Sequence, residues 1–104
     1  MHADRPTFTS FAEFYPFYLA EHSNRICRKL HFTGTLLAIL FLLHGVMYRS
    51  HYSLLMIPVA GYGFAWAGHF FFEKNRPATF THPVYSLMGD FLMFGQLLTV
   101  RLGF

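Results

Sequence analysis

The sequence predicts an all-α integral membrane bundle: an N-terminal amphipathic helix plus about three membrane helices in hairpins, forming a single domain over residues 1–104. Three observations predict it. Charged residues make up 12% of the chain and hydrophobic ones 54%, where a soluble domain carries roughly 25% charged residues. That leaves too little polar surface to cover a small globule, and the mean hydropathy of +0.34 agrees. Finally, residues 30–48 and 50–72 are two long stretches without Asp, Glu, Lys or Arg.

The first element is upstream of those stretches. Phe8, Phe11, Phe14, Tyr15, Tyr18 and Leu19 recur at spacings of three and four, the period of a helix with one apolar face. Pro16 is tolerated there only near an end or at a kink. Such a helix is expected to lie along the membrane interface rather than cross. His22-Ser23-Asn24 breaks it, and Ser23 or Asn24 can cap the next helix by accepting a backbone N–H bond.

About 20 mostly apolar residues span a bilayer, and both uncharged stretches meet that length. Tyr48 to Ser53 is the short turn between them. Glu73 to Pro83 (EKNRPATFTHP) is a polar loop, and Pro83 suits the first turn of a following helix. The third candidate span runs from about Pro83 to Leu102, interrupted by Asp90 and Gln96. It can cross only if those two groups face the bundle. With three spans, Arg5, Arg25, Arg28, Lys29, Lys74 and Arg76 share one side, against Arg49 and Arg101 on the other. The excess of positive charge therefore puts the N-terminus and the EKNR loop on the cytoplasmic side.

Composition also excludes. A net charge of +3 without a basic stripe gives no nucleic-acid surface, and Arg25, Arg28 and Lys29 are placed to meet lipid headgroups. A single cysteine, Cys27, cannot form an internal disulfide. The first apolar run starts only near residue 30, after a polar lead-in, so no cleavable leader is expected. Neither a phosphate-binding glycine loop nor a serine nucleophile elbow is present.

Seven histidines remain. His22 and His31 lie before and at the start of the first span, His69 ends the second, and His82 opens the third. Antiparallel hairpins bring all four to one level, the cytoplasmic one. His44 and His51 belong to the opposite end, and His2 is in the tail. His31 shares a helix face with Gly34, Thr35 and Ala38, and His69 with Gly61 and Ala65. Small residues mark the faces on which membrane helices pack, so these imidazoles point into protein, where each needs a hydrogen-bond partner or a metal. A lone histidine at a membrane edge is ordinarily interfacial; four at one level make a candidate metal site. Imidazole alone does not choose between zinc, copper, iron and nickel. Glu73 or Asp90 can add an oxygen ligand or orient a histidine, and burying Asp90 requires a partner, Arg76 or a histidine. A bis-histidine haem between His31 and His69 would leave His22 and His82 unexplained.

The motifs resemble a known family. Phe17-Tyr18-Leu19-Ala20-Glu21-His22-Ser23-Asn24, Leu30-His31-Phe32-Thr33-Gly34-Thr35, the block GHFFFEKNRPATF (residues 68–80) and HPVYSLMGD (residues 82–90) are similar to those of the membrane family typified by yeast 2-hydroxy fatty acid dioxygenase. The likeness runs from about Phe14 through nearly the whole chain. It implies an iron(II)-dependent α-oxidation, in which a 2-hydroxy fatty acid and O₂ give a fatty acid one carbon shorter. By motif, the metal ligands would be His22, His31, His69 and His82; Glu73, Asn75, Arg76 and Asp90 sit inside the matching motifs, with Glu73, Arg76 and Asp90 as further site residues. Chelation through the carboxylate and the 2-hydroxyl would reject a plain fatty acid. Arg76 would pair with the carboxylate, and the tail would lie among the apolar helices. The contrasting expectation is a non-catalytic lipid- or partner-binding module with a structural zinc. Size and small-residue stripes allow a homodimer.

Overall fold

The structure, a computed structural model, describes residues 8–104; His2 and Arg5, placed above in the tail, lie outside them. Among the described residues there are four α-helices and no strand. Helix α1 spans Phe11–Ala20, α2 Arg25–Met47, α3 His51–Ala67 and α4 Pro83–Leu98. Helix α3 runs on into a π-helical turn, Gly68–Glu73, and a 3-10 turn, Ala78–Phe80, leads to α4.

Local chemistry sets each start. Ser10 caps α1 by accepting from the Glu13 N–H at 3.2 Å, and the Glu13 carboxylate accepts in turn from the Thr9 N–H and hydroxyl. Of the two expected caps for α2, Asn24 is the one used: its Oδ1 accepts from the Ile26 and Cys27 N–H groups at 2.8 and 3.2 Å. Ser50 caps α3 through Ser53, and Pro83 occupies the first turn of α4, where its missing N–H costs nothing. Pro16 sits inside α1, which is only ten residues long.

Helices α2 and α3 form the hairpin that dominates the fold. At Gly34, an added Cβ would lie 2.9 Å from both the Ala60 carbonyl oxygen and the Phe64 Cβ, so this glycine is what lets the two backbones touch. The hairpin turns at Arg49, whose φ of 52° is left-handed. It returns the end of α3 to the start of α2.

The outer faces of this hairpin are apolar. Leu43, Val46, Leu55, Val59 and Phe71 are all more than half exposed. The segments Arg25–Met47 and His51–Glu73 are each 23 residues long and apolar enough to cross a membrane. Little of either is buried within the chain, and the two apolar helices point to membrane association.

The third expected span is not among the helices long and apolar enough to cross. Helix α4 has 16 residues, about 24 Å at 1.5 Å per residue, short of the ~30 Å hydrocarbon core. Its polar groups do face the bundle, because α1 supplies partners: Tyr15 donates to Gln96 Oε1 at 2.6 Å and Tyr18 donates to Asp90 Oδ1. Phe14, Tyr18, Ala78, Met93 and Leu97 form the buried core between α1 and α4. The apolar stripe of α1 is thus largely occupied by α4.

Candidate metal centre

Three histidines meet where α1, α2 and α3 converge. His22 lies in the turn after α1, His31 in the second turn of α2, and His69 in the π-helical turn that ends α3. All three are buried, between 1% and 4% exposed. Nε2 of His22 lies 2.9 Å from Nε2 of His31 and 2.9 Å from Nε2 of His69. One ring nitrogen from each falls within 4.8 Å of the others.

The opposite ring nitrogens decide what those contacts are. His22 Nδ1 is 2.6 Å from the Tyr18 carbonyl oxygen. His31 Nδ1 is 3.0 Å from the Cys27 carbonyl oxygen, nearer than its 3.6 Å to the Cys27 sulfur. His69 Nδ1 is 2.6 Å from Asn75 Oδ1. The Asn75 amide cannot be flipped, because its Nδ2 donates to the Glu21 carbonyl at 3.2 Å. A carbonyl oxygen has no proton to give, so each Nδ1 carries the hydrogen and donates it. Each Nε2 is then a bare lone pair. Three lone pairs aimed at one another cannot hydrogen-bond, and a cation between them turns repulsion into ligation. This donor set fits a metal ion, and the acceptors behind it hold every ring in its ligating tautomer.

Burial, with His31 and His69 alongside, pushes the His22 pKa well below the ordinary 6.5. The ring is neutral at physiological pH, as a ligand must be.

The surrounding residues fix the approach of the elements. The Glu73 carboxylate accepts from the Asn24 N–H and the Ser23 hydroxyl, tying the π-helical turn to the start of α2. Lys74 follows in the left-handed region, φ 60°, and bends the chain so that Asn75 reaches back to His69. A π-helical turn inserts a residue into the α register, and here it lies on His69 itself. On the other side, the Tyr18 ring stacks on His22 with centroids 4.0 Å apart. Burial and the Asp90 charge raise the Tyr18 pKa, keeping its hydroxyl a donor.

The fourth expected ligand stands apart. Among the described residues the metal-competent group comprises His22, His31 and His69 without His82. His82 precedes α4, its Nδ1 bonded to Thr81 Oγ1 at 2.8 Å and its ring against Phe8 and Phe14. The packing of α4 on α1 draws it to the aromatic core. Glu73 and Asp90 are likewise outside the group, and the partner of Asp90 is Tyr18 rather than Arg76 or a histidine. Arg76 is exposed on the loop. His44 and His51 are at the far end of the hairpin, His44 bonded to Ser53 Oγ. Sequence reasoning placed Glu73, Asn75 and Arg76 inside a matching motif but assigned Asn75 no role. For Tyr18 a signal existed: it lies four residues before His22, one helical turn away.

No curated protein and no solved structure matches the chain. Residues 8–102 match the family model described as 2-hydroxy-palmitic acid dioxygenase Mpo1-like, and with nearly the whole length covered, the chain belongs to the Mpo1-like family.

Proposed function

We propose that this protein is a membrane-embedded, iron(II)-dependent dioxygenase that shortens 2-hydroxy fatty acids by one carbon, with loss of the carboxyl carbon. The observation that carries the reading is the confrontation of three bare imidazole nitrogens at a buried point. Family membership selects iron and the substrate class, since imidazoles alone do not. Three protein donors also favour catalysis over a structural role, because structural zinc sites are closed by four ligands whereas catalytic sites keep positions open. The bound iron supplies the one-electron chemistry through which O₂ reacts with a carbon acid.

The chain's own residues do the rest. His22, His31 and His69 hold the ion, while the carbonyls of Tyr18, Cys27 and Asn75 hold the rings. Arg76 provides the counter-charge for the substrate carboxylate. Asp90 holds Tyr18 against His22, and Glu73 holds the π-helical turn against α2. The site faces the cytoplasm, following the positive charge of the N-terminal segment and the EKNR loop. Purified protein loaded with iron(II) and given 2-hydroxyhexadecanoate should release the 15-carbon acid only when O₂ is present, and His69→Ala should abolish this. Tightly held zinc with no chain shortening would replace the enzyme reading by the structural one.

A further inference from the structure

Among the described residues, one cavity is lined by a member of the histidine cluster, His31. It has a volume of about 250 Å³ and lies between α2, α3 and α4. Its polar end is formed by His31 and Asp90, and its walls are otherwise largely apolar, running past Ala38 and Gly61 to Ile57 and Pro58. A site with a metal-ligating histidine and a carboxylate at one end and aliphatic walls beyond fits an amphiphile with a polar head and a single hydrocarbon tail.

Gly61 has a particular place in it. A Cβ built there would come within 4.0 Å of the Ala38 Cβ alone, an ordinary van der Waals contact, and both residues line the cavity. Gly34, in contrast, is filled by the opposing helix, so its lack of a side chain serves helix packing. An added Cβ at 61 would displace nothing, so helix packing does not require this glycine. Gly61 is eight residues before His69, about 12 Å along the helix at 1.5 Å per residue. An extended hydrocarbon chain advances about 1.25 Å per carbon, given C–C bonds of about 1.5 Å. Gly61 on the cavity wall therefore stands about nine or ten carbons from His69.

We propose that this cavity is the acyl channel of the enzyme, and that the small residues Gly61 and Ala38 on its wall leave it wide enough for a long chain to pass. The inference rests on the functional reading above for the identity of the head group, while the channel itself can be tested by binding alone. Trp66 is the only tryptophan, and its ring packs beside Tyr62 of the cavity wall with centroids 5.6 Å apart. A 16-carbon 2-hydroxy acid brominated at mid-chain should quench its fluorescence, and an 8-carbon 2-hydroxy acid can be measured by competition.

In Gly61→Leu the ratio of 16-carbon to 8-carbon affinity should fall at least tenfold, and Ala38→Leu should produce the same bias from the facing wall. Gly63→Leu is the control: an added Cβ at Gly63 meets nothing within 4 Å, so it changes α3 equally without entering the channel, and the ratio should hold. Helix content of all three is checked by circular dichroism; if Gly61→Leu does not fold, Ala38→Leu decides. An unchanged ratio in the folded variants, or the same fall in Gly63→Leu, overturns the channel. Chain shortening measured on the same samples separates the two ideas. Length-biased binding without turnover would sink the dioxygenase reading and leave the channel; turnover whose chain-length preference ignores Gly61→Leu would do the reverse.

Discussion

At the scale of single residues, the centre depends on three nitrogens and three acceptors. Replacing His22, His31 or His69 by Ala should each remove stoichiometric metal, whereas His82→Ala should retain it, as elemental analysis of the purified variants will show. Loss of metal in His82→Ala would restore a four-histidine site. Asn75 acts through His69. Asn75→Ala leaves the Nδ1–H without its acceptor and should weaken metal binding about 10- to 100-fold, while Asn75→Asp keeps an acceptor oxygen and should bind much more nearly as the parent does. Equal affinities in all three proteins would remove Asn75 from the site. Acid should act through His22. Its folded pKa is lowered from 6.5 by burial, so below about pH 6.5 the unfolded chain takes up a proton that the folded chain refuses. That favours unfolding. The Tm of metal-free protein should therefore hold above pH 6.5 and decline as the pH falls toward 5; a flat profile would show that His22 is not buried neutral.

At the scale of elements, two features align the rings: the start of α2 and the π-helical end of α3. Both meet at Asn24, whose side chain caps α2 while its N–H donates to Glu73. Asn24→Ala removes the cap, which should cost about 0.5–2 kcal/mol, read as a lowered midpoint in thermal or denaturant unfolding. A variant as stable as the parent would mean that the Glu73 tie alone holds the helix start. Much of this level was legible from sequence. Two uncharged stretches locate α2 and α3, and the His-Ser-Asn break locates the cap. The π-helical turn was not legible, because GHFFFE reads locally as ordinary helix and the inserted residue is stabilised by Glu73 reaching α2, 49 residues away in sequence.

At the scale of the whole molecule, two long apolar helices return the chain to the side it started from. The histidine cluster and the Arg49 turn then lie at opposite ends of the hairpin. Single added cysteines at positions 49 and 76 should label with an impermeant reagent from opposite faces of sealed vesicles, over the background of buried Cys27. Labelling of both from one face would exclude a two-span hairpin. Helix α4 is held against α1 through Tyr15–Gln96 and Tyr18–Asp90, and Tyr18 in turn stacks on His22.

Composition and periodicity by themselves determined that this chain is helical, that two of its segments are long and apolar enough for a bilayer, with a third expected from Pro83 to Leu102, and at what level along the helices its histidines stand. Those properties are local or additive: a count of charges sets the solvent, and a count of residues sets height along a helix. Which rings meet was decided only by the tertiary structure. His82 opens α4 as expected from its place in the chain, yet the packing of α4 on α1 carries it to Phe8 and Phe14. Asn75 looked like loop until a left-handed Lys74 turned it back onto His69. Lateral position depends on contacts between segments far apart in sequence, and no reading of one segment contains them.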